Sequence, residues 1–180
     1  MIRIEDCCKA DGELIARAVV MALHEEFDPE ELWCRIFMNL AVRTDSQYSY
    51  LNALKAVTDE GEVAGILVCY DGARLAELRQ ALFDEYERLS GRKLGAIADE
   101  TDAGEWYLDS LAVFPGFRGR GIAKALIQAA VERTPEGKRP GLLCAKDNAN
   151  ARRLYESLGF RKIGERPFLG QLMDHMIYEK

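Results

Sequence analysis

Two histidines, five cysteines and five prolines are all that the 180-residue sequence holds of those three residue types. With so little histidine and no Cys-x-x-Cys pair, no ligand set stands at metal-binding spacing, and no metal is expected. The cysteine count is odd and only Cys7 and Cys8 are neighbours, so no disulfide framework is expected and a reduced, cytoplasmic setting fits. No apolar run approaches the roughly 18 residues that cross a bilayer. The first ten residues, MIRIEDCCKA, lack the apolar stretch of a secretory signal, and no membrane partner is expected. A basic face is missing too. Lys and Arg number 24 against 30 Asp and Glu, a net charge of −6, which argues against a nucleic-acid partner. That balance suits a cationic substrate, and equally a merely acidic soluble protein. There is no internal repeat and no low-complexity tract.

Hydrophobic residues make up 48% of the chain and charged residues 30%, enough for a sizeable core, and residues 1–180 read as a single domain. Leu14, Ile15, Ala18, Val19 and Ala22 recur at helical spacing behind Asp11 as a cap. Asp28, Pro29 and Glu31 announce a second helix by cap, first-turn proline and capping-box spacing. Its stripe is Leu32, Trp33, Ile36, Phe37 and Leu40. The period then changes: residues 54–57 and 63–70 predict a hairpin about the Asp59-Glu60-Gly61 turn. Residues 73–90 predict an amphipathic helix ended by Gly91, and the polar stretch 91–104 a loop or a lid. A strand over 106–113, a helix from Ile122, a short strand over 142–145, a helix over 148–158 ended by Gly159, and strands over 160–164 and 172–178 complete the order. The result is a mixed α/β arrangement with helices covering one sheet.

One stretch stands apart: FRGRGIAKAL, residues 117–126. It follows a strand and opens a helix, whose first N–H groups have no intrahelical partners and carry partial positive charge. Gly119 and Gly121 permit positive φ and close approach to the backbone. Arg118 and Arg120 add full charges. The stretch therefore reads as an anion nest for phosphate groups, or as a plain strand-to-helix turn with solvated arginines. A Walker A loop is absent, and Lys124 stands where a dinucleotide fingerprint needs its third glycine.

The run Arg118-Gly119-Arg120-Gly121-Ile122-Ala123 resembles the acetyl-CoA-binding motif of the GNAT superfamily of N-acetyltransferases, Gln/Arg-x-x-Gly-x-Gly/Ala between a strand and a helix. The preceding LAVFPGF, residues 111–117, is similar to that family's strand end and turn. A second segment, DNANARRLYESLGF at 147–160, resembles a later motif of the same family through Asn148, Ala151, Leu154, Tyr155 and the Gly159-Phe160 ending. The two motifs stand in the family's order, and the resemblance covers roughly residues 50–180. It implies a central mixed, mostly antiparallel sheet flanked by helices. This chain departs from the pattern in its connection from hairpin to next strand, where a helical insertion fills about residues 72–104.

The resemblance implies acetyl-CoA as co-substrate and direct attack by a primary amine of a small molecule or peptide on its thioester. Residues 119–123 with Arg118 and Arg120 would face the diphosphate. The strand edge at Leu111, Ala112 and Val113 would pair with the pantetheine arm. Asn148 and Ala151 would touch that arm, and Tyr155 would protonate the leaving thiolate; by spacing alone, Tyr155 is equally a core aromatic and Asn148 a helix cap. A base is needed because an amine of pKa near 10 is mostly protonated at pH 7. Glu105, Tyr107 and Asp109 share a face of a regular strand. Asp109 is the first candidate, directly or through water, and Glu105 the second; a β-bulge would alter which face each takes. His175 is a further candidate base or a structural histidine. Tyr48 and Tyr50 stand where the family builds its acceptor pocket, with Tyr107 nearby. Cys144 reads as a core residue. The acidic run Asp99, Glu100, Asp102 and Glu105 reads as a lure for a cationic acceptor or as a solvated loop. Rival readings are a non-catalytic acyl-CoA-binding regulator and an acyltransferase with another acyl donor. A homodimer is one assembly open to the chain.

Overall fold

The structure, a computed structural model, describes residues 1–179. In chain order the elements are β1 (Ile2–Asp6), α1 (Gly12–Ala22), α2 (Leu32–Ala41), β2 (Ala53–Thr58), β3 (Val63–Asp71), α3 (Leu75–Ser90), β4 (Glu105–Val113), α4 (Ile122–Glu132), β5 (Arg139–Cys144), α5 (Ala149–Leu158), β6 (Phe160–Phe168) and β7 (Gln171–Tyr178). The strands form one sheet in the order β1-β2-β3-β4-β5-β7-β6. Every neighbouring pair is antiparallel except β4 and β5. This is the mixed α/β, mostly antiparallel, helix-flanked architecture that the sequence implies.

Each face of the sheet carries its own core. Ile15 and Val19 of α1, Ile36 and Leu40 of α2 and Leu78 of α3 pack with Ile66, Val68 and Tyr70 of β3. On the opposite face Ile122, Leu126, Ile127 and Ala130 of α4 pack with Leu67, Cys69, Leu108 and Leu142. The helices hold to the sheet because their apolar residues recur at three- and four-residue spacing. Each large aliphatic side chain so buried contributes about 1.5–3 kcal/mol.

Several local expectations are corrected. The first fifty residues are not only helical: β1 pairs with β2 as an edge strand. α2 begins at Leu32, later than Asp28 and Pro29 suggest, because Asp28 Oδ1 accepts from the Glu30 amide at 2.9 Å and closes a turn before the helix. Asp11 does not cap α1 with its side chain. Its carboxylate instead accepts from the Cys8 amide at 2.7 Å and pairs with Lys55 Nζ at 2.8 Å. β6 runs on to Phe168 through Pro167, which is tolerated because β6 is the outermost strand.

The feature that positions the site is a bulge in β4. Val68 of β3 opposes Ser110 while the next residue, Cys69, opposes Leu108, so Asp109 is the extra residue. The alternation of side chains breaks there. Tyr107 and Ala112 enter the core under α1 and α2, while Leu108 and Leu111 lie on the opposite face. A bulge bends its strand and increases its twist. Just before it, the parallel pairing of β4 with β5 ends at Tyr107 and Gly141. From Leu108 to Val113, β4 pairs only with β3, while Leu142 to Cys144 of β5 pair only with β7. The sheet splays at its middle and leaves a stretch of β4 edge with no strand beside it.

Candidate active site

The free β4 edge leads straight into the stretch Phe117–Ala123. Gly119 and Gly121 both lie at φ 75°, and Gly121 is the N-cap of α4. A Cβ at either position would meet no atom within 4 Å beyond its chain neighbours, so the space at the loop is open. The first intrahelical bond of this turn runs from the Ala125 amide to the Gly121 carbonyl at 3.0 Å. The amides of Ile122, Ala123 and Lys124 therefore have no partner among the described residues, and helix geometry aims them into the opening. Arg118 and Arg120 are exposed beside them. Arg118 Nε reaches the Val113 carbonyl at 3.4 Å, and the Arg120 guanidinium sits 5.6 Å from the Phe117 ring. Unpaired amides, two guanidiniums and open space fit a diphosphate.

Across the splay, α5 presents its N-terminus. Asn148 Oδ1 accepts from the Ala151 amide at 3.0 Å, so this residue does cap the helix. Ala151, Leu154 and Tyr155 are partly buried against the α4 face of the sheet, and the Tyr155 ring lies 6.0 Å from that of Phe160. Burial pushes the Tyr155 hydroxyl well above the ordinary phenol value, with Cys144 adding to the effect. The hydroxyl therefore stays protonated at neutral pH. Cys144 itself is buried, and burial raises its thiol as well, as a core cysteine requires.

On the opposite face the bulge presents Asp109. Its Oδ2 accepts from the Tyr70 hydroxyl at 2.8 Å and from Gln47 Nε2 at 3.3 Å, and its Oδ1 from the Ser110 hydroxyl at 2.7 Å. Burial raises its pKa, and those three hydrogen bonds together with Arg79 pull in the other direction. Glu100 lies beside it, with Oε1 3.3 Å from the Tyr70 hydroxyl. Burial first and the Asp109 charge second raise Glu100 to about 7, partly offset by Arg79. Tyr48 packs edge-on against Phe37, with centroids 5.1 Å apart, and Tyr107 against Tyr70 at 5.7 Å. Burial, then Asp109 and Glu100, hold both the Tyr48 and the Tyr107 hydroxyls protonated.

Glu105 lies one turn of pleat away on the same strand and is already engaged. Its Oε2 accepts from the Thr101 hydroxyl at 2.9 Å, and its Oε1 lies 2.7 Å from His175 Nε2. His175 Nδ1 accepts from Arg166 Nε at 3.3 Å. Tyr50 opens a short 3₁₀ turn and is half-buried against the α1/α2 core. The structure thus brings Asp109, Tyr48 and Tyr107 together, and joins Glu105 to His175 as a separate pair. The residues that sequence reasoning passed over are Gln47, Tyr70 and Arg79. Glu100 appeared there only as one of several loop acids. No periodicity marks any of them, because the loop residues reach the site only through the insertion and the turn after α2.

Among the described residues no three His, Cys, Asp or Glu side chains form a metal-binding group, all five cysteines are free, and no helix is long and apolar enough to cross a membrane. A mostly antiparallel sheet splayed beside an amide-lined loop defines the class of acyltransferases that take their acyl group from coenzyme A. Residues 13–160 match the Acetyltransferase (GNAT) family. The chain belongs to that family of acetyl-CoA-dependent acetyltransferases. A crystallised acetyltransferase is 32% identical, with a TM-score of 0.82 over 98% of both chains. An N-acetyltransferase from Staphylococcus aureus Mu50 shares the fold at a TM-score of 0.83 and 23% identity, over 97% of this chain and 99% of that one. The spermine/spermidine N(1)-acetyltransferase of Bacillus subtilis is 24% identical over 135 residues, 71% of this chain and 82% of the relative. An uncharacterized protein of Mycobacterium leprae is 32% identical over 116 residues, 64% of this chain, and the match spans only 29% of that relative's length.

Proposed function

We propose that this chain is an N-acetyltransferase that transfers the acetyl group of acetyl-CoA to a primary amine within a ternary complex. The observation that carries the reading is the unpaired β4 edge from Leu108 onward, running into the free amides of Ile122 to Lys124. Family membership supports it, and the polyamine-acetylating relative supports an amine acceptor.

Acetyl-CoA, when bound, supplies an activated thioester. The chain's own residues do the rest. Gly119 to Ala123, with Arg118 and Arg120, hold the diphosphate by unpaired amides and charge. Leu111, Ala112 and Val113 offer backbone groups to the pantetheine arm as a neighbouring strand would, and Ala151 and the Asn148 side chain flank it. An edge amide directed at the thioester oxygen is worth roughly 3 kcal/mol in such a role. Asp109 takes a proton from the acceptor's ammonium group, and its buried setting moves its pKa toward that task. The nitrogen then forms a bond to the acyl carbon as the carbon–sulfur bond breaks, and Tyr155 gives its proton to the sulfur. The second proton that the nitrogen sheds on becoming an amide restores the Tyr155 hydroxyl through solvent, while Asp109 releases the first to water. Overall an ammonium and a thioester yield an amide, a thiol and one proton. Glu105, tied to Thr101 and His175, orders the floor of the site in this scheme.

Incubation with acetyl-CoA and a panel of primary amines, read by thiol release and by the mass of the acetylated amine, tests the reading. Matching thiol and acetyl-amine is expected. Thiol release that no amine accelerates, or none at all while coenzyme A binds, would instead favour a non-catalytic acyl-CoA-binding protein.

A further inference from the structure

We propose that Asp174 of β7 is a positioning residue that clamps the N-terminal half of α5, through Arg152, to the lip of the splayed sheet and so aims Tyr155 at the sulfur of bound coenzyme A. The inference rests on the N-acetyltransferase reading and assigns what holds its proton donor in place.

The register puts Asp174 at that lip. β5 leaves β4 after Gly141 and stays with β7 only as far as Cys144, whose partner there is Asp174. On its other side Asp174 opposes Glu165 of the outermost strand. Standing two residues before Met176, it turns to the sheet face that α4 and α5 cover. The residue is fully buried. Arg152 Nη2 donates to its Oδ2, and Lys162 Nζ lies 2.8 Å from its Oδ1. Burial pushes the carboxyl up, and Lys162 and Arg152 more than offset that push, so it stays charged at neutral pH. Lys162 is shared with Glu165 at 2.7 Å, whereas among the described residues Arg152 has no other acidic partner.

α5 needs such a clamp. Its 10 residues fall short of the length, roughly 12–15, below which an isolated helix is marginal in water, and none of them is fully buried. The C-terminal end is fixed by the chain itself, which passes through Gly159 into β6, and by Arg161 Nη1 donating to the Glu156 carbonyl at 3.0 Å. The N-terminal half has no such anchor. Among the described residues, Arg152 to Asp174 is the one side-chain hydrogen bond that joins it to the sheet. An apolar pair of similar volume often stabilises a fold as well as a buried ion pair does. The ion pair adds direction: a charge-assisted hydrogen bond fixes distance and angle, where apolar contact lets a short helix slide.

Tyr155 depends on that setting. It stands three residues beyond Arg152, one turn along the helix. Its ring rests against Phe160, and among the described residues its hydroxyl makes no hydrogen bond. The position of the helix therefore decides where the proton points. Cys144, the strand partner of Asp174, lies close enough to Tyr155 to act on its hydroxyl, so the clamp and the proton donor meet at one side chain.

The test compares wild type with Arg152→Met, which keeps the apolar stem and loses the charge. Calorimetry follows two ligands: coenzyme A, and the adenosine diphosphate half of the same molecule without its pantetheine arm. NMR of isotope-labelled tyrosine follows Tyr155, its signal assigned by Tyr155→Phe. In Arg152→Met coenzyme A should bind roughly tenfold more weakly, the worth of one or two hydrogen bonds to the arm. Affinity for the adenosine diphosphate half should be unchanged, since the loop before α4 holds it. The Tyr155 signal should move on coenzyme A binding in wild type and stay put in Arg152→Met. Equal weakening of both ligands would mean a loss of general stability and would overturn the inference. Unchanged coenzyme A affinity, or a Tyr155 signal that responds alike in both proteins, would overturn it too. If Arg152→Met does not fold, Asp174→Asn takes its place, since it removes the anion and leaves Arg152 whole. Failure of coenzyme A to bind wild type would instead overturn the N-acetyltransferase reading.

Discussion

The Tyr70 hydroxyl of β3 donates to Asp109 Oδ2 at 2.8 Å, joining a core aromatic to the one residue that the β4 bulge pushes out of register. That bond favours the charged carboxylate, and burial disfavours it. Tyr70→Phe should therefore raise the Asp109 pKa further. The limb of the pH–rate profile that rises with pH should move to higher pH, with the acetyl-CoA KM unchanged. Asp109→Asn should lower kcat by about 10² to 10⁴ and remove that limb. A profile untouched by either change would place the base elsewhere.

Tyr155→Phe should lower kcat while leaving coenzyme A binding intact, because burial keeps the hydroxyl loaded with its proton. Turnover equal to wild type in steady-state assays would reduce Tyr155 to a packing role against Phe160.

Glu100 gives a signature in stability. Its pKa stands at the ordinary 4.5 in the unfolded chain and about 7 in the folded one. Between those values the folded state binds the proton that the unfolded state has lost, so this group makes stability fall as pH rises from 4.5 to 7. Below that window the contribution is complete, and above it the contribution is gone. Urea titrations across the window should show the slope in wild type and a flatter one in Glu100→Gln. Identical slopes would mean that the carboxyl titrates alike in both states.

Gly141 explains how Glu105 crosses to His175. A Cβ there would lie 2.6 Å from Glu105 Oε2 and 2.9 Å from Ile177 Cδ1. Gly141→Ala should cost about 1–3 kcal/mol of stability by overpacking, measured by thermal or urea unfolding. A neutral change would show that Glu105 has another place to go.

How much of this was legible in the chain divides along physical lines. The nearly continuous apolar run of residues 63–70 announced itself because β3 is buried on both faces, and the helical stripe of α3 with the Gly91 and Gly159 stops because burial on one face of a helix imposes a repeat. The loop at 117–123 was legible because glycine and arginine in that order before a helix have few other uses. β1 was not, since five residues alternating Ile with charge give too short a pattern beside an N-terminus. The shared face of Glu105, Tyr107 and Asp109 was legible as far as Asp109, and there the bulge broke the alternation. Glu100, Gln47 and Arg79 were hidden because their meeting depends on how a 33-residue connection, residues 72 to 104, folds back on the sheet, and no local spacing encodes that.

The measurement that bears most directly on the splayed edge and its amide-lined loop is calorimetric titration of the full chain with acetyl-CoA at two salt concentrations, in wild type and in Arg118→Ala/Arg120→Ala. Expected is one site per chain in wild type, with weaker affinity and a shallower salt dependence in the double variant. No heat at millimolar acetyl-CoA, or the same affinity and salt dependence in both proteins, would contradict it.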